Sequence, residues 1–384
     1  MAAVKNNGRG VAALLILCLA LTIAAPLIAS PAGAGAASKS VDRTYTFAEV
    51  SDLALLHSVD ILKQKQSIAQ AEFNVDYQRT TFQNQAYNYH SDPESNINES
   101  TLYSLQENYE NAITAFDDAQ DAMKRLKPKV VYQAQKLYLE ILQSELQIQI
   151  QELEVKRLND EYELAKVKAV FGVMTQTQLK NAKTQQDNAR ESLDNLKKSL
   201  NASKKTMREY LGLKADEEFA LRTPPAFGEY EDKFNKDEVQ AAALKNSVSL
   251  KQAQKELDDL DAQRRKYEDR GEYSQASRVT VSVPAKEQSL KEAREALIKT
   301  VENTLEDYNG YETALAKAQE SLDAARASLL ATATKLKVGL AKVNDTRLAE
   351  KAVAQAEKEL LQAGYNRYLG ARKVSLMREG VLVN

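Results

Sequence analysis

The sequence predicts an all-α protein made of two tandem copies of one long helical hairpin, with a leader in front. Three observations predict it: a composition suited to long helices, an internal repeat that keeps its phase through two glycine breaks, and turn residues confined to short segments. Ala, Glu, Lys, Leu and Gln dominate the 384 residues, of which 28% are charged and 43% hydrophobic. Trp is absent, and there are only 7 prolines and 13 glycines. Such a bias suits long helices with narrow apolar seams rather than thick cores. Fifty-two basic residues against 54 acidic ones give no electrostatic footprint for nucleic acid.

Residues 1–36 read as a signal peptide. Lys5 and Arg9 form a positive n-region, 11–25 is an apolar run, and Ala34-Gly35-Ala36 fits a signal peptidase site. The competing reading is an uncleaved anchor, since the apolar stretch reaches about Ser30 and a span needs roughly 20 residues. Helix-breaking Pro26 and Pro31 and the small-residue tail favour cleavage. Cys18 follows Leu17 inside the apolar run, so it reads as an ordinary residue of that run and not as a lipidation site. Cleavage leaves a mature chain without cysteine, which must be stabilised by packing alone.

The repeat shows in two correspondences. EVSDLALLHSVDI, from Glu49, returns as EVQAAALKNSVSL, from Glu238, at an offset of 189. A heptad seam of Leu137, Ile141, Ser144, Ile148, Gln151, Val155, Leu158, Tyr162 and Ala165 returns at an offset of 167 as Thr304, Tyr308, Tyr311, Leu315, Ala318, Leu322, Ala325, Leu329 and Thr332. Gly172 and Gly339 share that second offset, and the seams beyond them keep the same phase. A chance coiled coil keeps a heptad, but it does not keep phase through a glycine break in both halves. The chain therefore reads as a duplication. The offsets differ by 22, so the first copy is longer between its first and second helices, around the polar segment 90–100 with Asp92-Pro93.

The boundaries follow: the first repeat covers 37–211, a linker 212–234, and the second repeat 235–384. Gly212 suits a helix C-cap, and Pro224-Pro225 forbids helix in the linker. In the first copy, helix one is expected over 49–85, helix two over 101–171 with a kink or break at Pro128, and helix three over 175–210. Helix two is then nearly as long as helices one and three combined, so two short helices stacked end to end match one long one. At 1.5 Å per residue that is a rod of roughly 100 Å. The rod turns at AVFGVMTQTQ, with Thr175 or Thr177 as the cap, and at KVGLAKVNDT, with Asn344 or Asp345 as the cap. A second stripe, Leu139, Leu142, Leu146, Ile150 and Leu153, lies beside the first seam. A helix with two adjacent seams has neighbours on two sides, so oligomerisation is expected.

Six segments in this order carry a resemblance. They are TFAEVSDLALLHS and its partner KDEVQAAALKNS, the tips FGVMTQTQL and VGLAKVNDTRL, the first copy's end REYLGLK, and the final AGYNRYLGARKVSLMREG. Together they resemble the TolC family of outer-membrane efflux ducts over most of the mature chain. The resemblance implies an α-barrel protomer that gives two hairpins to a trimeric tube of twelve helices. It implies an exit duct for efflux or type I secretion, working with a periplasmic-adaptor-type protein and a membrane transporter. Twelve axes about 9–10 Å apart enclose, after helix thickness, a bore of roughly 26 Å. The family crosses the outer membrane on strands between helices one and two of each copy. Here the first connection offers only Tyr87 and Tyr89 in alternation. The second offers SRVTVSV, with Val279, Val281 and Val283 on one face, short of the roughly 9–11 residues a spanning strand needs. The expectation is a barrel-less relative in the cell envelope, its membrane strands reduced or absent.

The candidate site lies at the tips. Gly172, Val173 and Met174 on the first, and Gly339, Leu340 and Val343 on the second, are expected to dock the adaptor, because a free tip has no need to expose valine, methionine or leucine. The resemblance also implies an entrance ring of acidic side chains. Asp345 falls on one such position, the next expected acid is Leu348 here, and the corresponding first-tip position is Gln178. Asp345 reads equally as a helix cap.

No enzyme is legible. The only histidines are His57, whose repeat partner is Asn246, and His90, in a polar segment with Asp92 and Glu94. Carboxylates lie scattered among lysines, where ion pairing is the default reading. No phosphate loop and no nucleophile elbow is present, and no cofactor or metal site is expected. The reading of a different class is a non-transporting coiled-coil scaffold or spacer of the cell envelope.

Overall fold

The computed structural model describes residues 43–91, 98–222 and 233–383. The signal-peptide expectation, Asp92-Pro93 and Pro224-Pro225 lie outside these residues. The elements are β1 (Arg43–Tyr45), α1 (Phe47–His57), α2 (Val59–Ser91), α3 (Glu99–Val170), α4 (Gln176–Leu211), β2 (Phe219–Leu221), α5 (Lys236–Asn246), α6 (Val248–Asp269), α7 (Tyr273–Lys337) and α8 (Val343–Arg378).

The duplication is visible in the bends. Helix one, expected over 49–85, is two helices, α1 and α2, and the same division separates α5 from α6. The break falls on Ser58 and Ser247, which adopt φ −57°, ψ 126° and φ −59°, ψ 120°. Each serine N–H still reaches the carbonyl four residues back, Ala54 or Ala243, at 2.9 Å. Each serine carbonyl still accepts from four residues on, Leu62 or Lys251. One extended residue thus redirects the axis while its own N–H and carbonyl both stay bonded. α1 itself starts at a capping box, where Thr46 N–H donates to Glu49 at 2.8 Å and Glu49 N–H donates to the Thr46 hydroxyl at 3.3 Å.

At each bend the start of a hairpin meets its own end. Gly212 after α4 and Gly380 after α8 both take positive φ, 68° and 79°. A Cβ on Gly212 would lie 2.7 Å from the His57 ring, and one on Gly380 only 2.2 Å from the Asn246 carbonyl oxygen. Asn246 also donates from Nδ2 to Arg378 O at 2.6 Å. The polar pair at repeat positions 57 and 246 is therefore the surface against which each hairpin closes.

The long helices stack as their lengths suggest. α3 carries α4 along one half and α2 along the other, and α7 packs on α8 and on α6. α8 also packs on α3, so near the tips the four helices lie in the order α4–α3–α8–α7. Pro128 neither kinks α3 into two elements nor ends it. The helix runs unbroken, held by Met123 and Val130 buried on either side of the proline. A proline inside a helix costs about 3 kcal/mol, which burial of two such side chains offsets.

The core is a belt at the bends. Val50, Ala54, Ala134, Tyr138, Ile141 and Met207 are buried in one cluster. Their repeat equivalents Val239, Ala243, Val301, Leu305, Tyr308 and Val374 are buried in a second. Parallel strands β1 and β2 join over the first cluster, with Arg43 opposite Phe219 and Tyr45 opposite Leu221. Tyr138 ties them down, its hydroxyl donating to Tyr45 O at 3.2 Å and meeting Arg222 O. Burial pushes the Tyr138 and Tyr365 phenols up to about 12.

Among the described residues the far end from the tips is helical. SRVTVSV, the best strand candidate of the sequence, lies inside α7, where Val283 packs on the cluster of Leu250, Leu257, Leu290 and Leu297. α6 and α7 are joined by a turn at Gly271, φ 71°. His90 and Ser91 belong to α2 rather than to a turn, and Asn98 caps α3. The excess length of the first copy divides among three places. α2 is longer than α6 (33 against 22), α3 is longer than α7 (72 against 65), and the connection is longer as well (7 against 3). No helix among the described residues is long and apolar enough to cross a membrane.

Candidate functional site at the paired hairpin tips

Both tips are built by the same backbone bonds. Gly172 takes φ 71° and donates to Ala169 O at 3.1 Å, while Val173 donates to Lys168 O at 2.9 Å. Gly339 takes φ 75° and donates to Leu336 O at 3.0 Å, while Leu340 donates to Lys335 O at 2.8 Å. This pair of bonds ends a helix through a left-handed residue, which is why glycine stands there. The return helices differ in their caps. Thr175 is the first cap, in a reciprocal box with Gln178 at 2.9 and 3.3 Å. At the second tip the cap is Lys342, not Asn344 or Asp345. A lysine ammonium has no acceptor, so only half the box remains: the Asp345 carboxylate accepts from Lys342 N–H at 2.8 Å. Asp345 therefore stands in the second tip where Gln178 stands in the first.

Val173 is 74% exposed and Leu340 78%, and Phe171, Val338 and Val343 are also exposed. Gly172 and Gly339 meet nothing that a Cβ would touch within 4 Å. Met174 is half-buried and turns toward the other tip. With Val343, Leu164 and Ala182 it lines a groove of about 580 Å³ between the two tips, rimmed by Asp160, Lys168 and Lys342. The structure thus brings Met174 and Val343 together, leaves Val173 and Leu340 pointing outward, and puts Asp345 on the exposed first turn of α8.

Below the groove a polar ladder ties α3 to α8. Asn344 donates to Glu161 at 2.7 Å, Arg347 pairs with Asp160, Lys351 with Glu154 at 2.9 Å, and Lys358 donates to Gln147 at 2.6 Å. Arg157 braces the α3 side with two bonds to Glu154, at 2.8 and 3.0 Å, and one to Glu161 at 2.7 Å. Hydrogen bonds from Arg157, then from Lys351, hold the Glu154 carboxyl down at about 2, against the opposing effect of burial. The same pairing raises Arg157 above the usual guanidinium range. The spacing of Glu154, Arg157 and Glu161 is the helical pattern that signals such bracing in sequence. Their partners on α8 have no local signal.

Among the described residues no group of three His, Cys, Asp or Glu is placed to hold a metal ion. His57 packs on Gly212, and the His90 ring meets Tyr89 edge-on at 5.2 Å.

No protein-family model and no curated protein matches the chain. Solved structures do. The CmeC outer membrane channel of Campylobacter jejuni superposes with a TM-score of 0.62 at 8% identity, covering 88% of this chain and 86% of that one. The outer-membrane channel OprN gives 0.59 at 12% identity, covering 87% and 90%. The chain has the TolC-like fold. CusC, described with its transmembrane channel formation, gives 0.55 at 13% identity, covering 87% and 95%. The TolC-like likeness therefore spans both hairpins, although this chain turns its second hairpin helix to helix at Gly271.

Proposed function

We propose that the chain is the wall unit of a TolC-like exit duct for efflux or type I secretion, three copies closing a tube of twelve helices. The observation that carries this reading is the pair of equivalent tips, which expose Val173, Leu340 and Val343 beside a shared groove. Apolar side chains held out on two rigid turns suit a partner's helices better than water. Gly172 and Gly339 make the turns; Val173, Met174, Leu340 and Val343 are the docking side chains for an adaptor-type protein and its membrane transporter. The order α4–α3–α8–α7 leaves two open edges, and such a wall closes on copies of itself by rotation. Asp345, exposed at the second tip, would then give a ring of three carboxylates at the entrance. We place the protein in the cell envelope, exported by residues 1–36, with short helical hairpins at its far end.

Single-particle imaging of the purified chain from residue 37 tests the reading. Closed rings of three with a lumen of roughly 26 Å are expected. Monomeric rods would overturn it and leave the scaffold reading.

A further inference from the structure

The two tips share a charge pattern that is separate from their apolar side chains. Residues 164–186 hold Lys166, Lys168, Lys180 and Lys183 and no acid; residues 324–344 hold Arg326, Lys335, Lys337 and Lys342 and no acid. Asp345 and Arg347 follow the second stretch with opposite charges. Outside the two stretches the chain has 44 basic against 54 acidic residues. The far end carries the reverse sign, since 80–123 holds eight acidic residues and no lysine or arginine. The rod is therefore polar along its length, positive at the tips. Lys166 pairs with Glu163 and Lys183 with Asp187. The exposed Lys168, Lys180, Lys335, Lys337 and Lys342 make no ion pair among the described residues. Helix dipoles explain only part of this collar. Lysines suit the ends of α3 and α7, where Lys168, Lys335 and Lys337 lie. Lys342, however, caps the N-terminus of α8, and Lys180 lies early in α4, whose first turn holds no acid. A cation is disfavoured at that pole.

We infer that the tips seat on an anionic lipid surface, their apolar apices entering the interface and the lysines behind them reaching the headgroups. The inference goes beyond the duct reading and needs neither a ring nor an adaptor. Val170 is 83% exposed and Phe171 77%, and with Val173, Val338 and Leu340 they crown both turns. Gly172 and Gly339 between them have open space where a Cβ would stand. Such convex apolar points suit a fluid surface, which deforms around them, better than a protein surface that must be shaped to receive them. Lys168 lies three residues behind Phe171, and Lys337 directly precedes Val338. Lysine stems lie along apolar surface while their ammonium groups stay at headgroup level. Each lysine held near an anionic bilayer raises partitioning roughly fivefold. The acidic far end is repelled by the same surface, which selects the orientation with the tips down. The groove lined by Met174 and Val343 lies between the tips and stays free for a protein partner.

Vesicle binding by the purified chain from residue 37 tests this. The chain has no native tryptophan, so Phe171→Trp places a single indole at the first apex. With vesicles of phosphatidylcholine and phosphatidylglycerol at low salt, this variant is expected to co-sediment and its emission to shift to the blue. With phosphatidylcholine alone neither is expected. Salt at about 0.5 M should release most of the bound chain, because charges are then screened within a few ångströms. Tyr87→Trp, exposed at the far end, should co-sediment without a blue shift. Lys168→Gln with Lys337→Gln should lower partitioning roughly 10- to 30-fold. Phe171→Ser with Leu340→Ser should lower it several-fold and leave its salt dependence unchanged. All these positions are exposed, and circular dichroism of each variant checks that the helices remain. No binding to the anionic vesicles would overturn the inference and leave the lysines to an acidic protein partner, with the ring reading untouched. A blue shift in Tyr87→Trp but not in Phe171→Trp would overturn it too, as would binding that neither double variant reduces.

Discussion

In the first hairpin the long helix α3 is covered on two sides, by α4 and by α8; in the second, its duplicate α7 is covered by α8 alone near the tips. At the tips and the bends the backbones answer this difference with no change. Both helices end in the same pair of glycine-centred bonds, and both follow a serine bend. The answer lies in the side chains. Leu139, Leu142 and Ile150 on α3 are buried, while Glu306, Asn309 and Lys317 hold the repeated positions on α7 and are exposed. A duplicated helix keeps its bends because they are local, and changes its faces because each face answers to a different neighbour.

The largest test of this contrast is truncation of paired positions. Leu139 is 1% exposed, and Leu139→Ala should cost about 2–5 kcal/mol through lost burial and a residual cavity. Glu306→Ala, at the repeated position, should change the stability of the isolated chain by less than about 0.5 kcal/mol. Urea unfolding of both variants measures the difference. Similar losses would mean that α7 is covered within the chain as α3 is.

The closing glycines make the second comparison, and here the hairpins reverse roles. A methyl at Gly212 would meet the His57 side chain, which can turn away, whereas one at Gly380 would meet the Asn246 backbone. Positive φ charges either alanine about 1–2 kcal/mol. Gly380→Ala must in addition shift main chain and open the Asn246–Arg378 bond. Its melting temperature should fall further than that of Gly212→Ala, by several degrees for a chain of this size. Equal falls would mean that the two closures are mechanically alike.

What the sequence made legible follows the same division between local and distant causes. The tips at Gly172 and Gly339, the cap at Thr175 and the end-to-end stacking were readable, because glycine, cap chemistry and helix length act within a few residues or by simple addition. The bend at Ser58 was not. His57-Ser58-Val59 and Asn246-Ser247-Val248 repeat in plain view, but serine is a weak helix breaker and keeps its own bonds to the residues four before and four after it. The β1–β2 pair joins two very short strands that flank the whole first hairpin, with no periodicity to betray them. The ladder was half legible: Arg157 with its two glutamates shows on one helix, but Arg347 and Lys351 gain meaning only once α8 is set against α3.

That ladder supplies the third test. The Glu154 carboxyl is lowered from about 4.5 to about 2 in the fold. A depressed carboxylate stabilises above its unfolded value, and the contribution is lost as pH falls through the folded one. The tie between the two tips should therefore weaken between pH 4.5 and 2, by up to about 3 kcal/mol. Glu154→Gln should be less stable at pH 7 by about 1–3 kcal/mol and should show a flatter acid limb in thermal melts. Ser321, the repeated position on α7, has no such proton to lose. Parallel acid limbs for the variant and the parent would assign the acid sensitivity to other carboxylates.

The smallest expected effect separates two roles of one residue. Asp345 holds Lys342 N–H as Gln178 holds Thr175 N–H, so as a cap it is replaceable by any short acceptor. Asp345→Asn keeps the acceptor oxygen and removes the charge near a helix N-terminus, which is worth about 0.3–1 kcal/mol. The melting temperature should move by no more than a few degrees. The charge itself matters to stability only slightly, but three of them at an entrance would attract cations. In planar bilayers, Asp345→Asn should lower the preference for cations over anions, and Gln178→Glu, adding a carboxylate at the equivalent place on the first tip, should raise it. If both variants conduct with the parent's selectivity, Asp345 is a cap and nothing more, and the two tips are alike in function as well as in backbone.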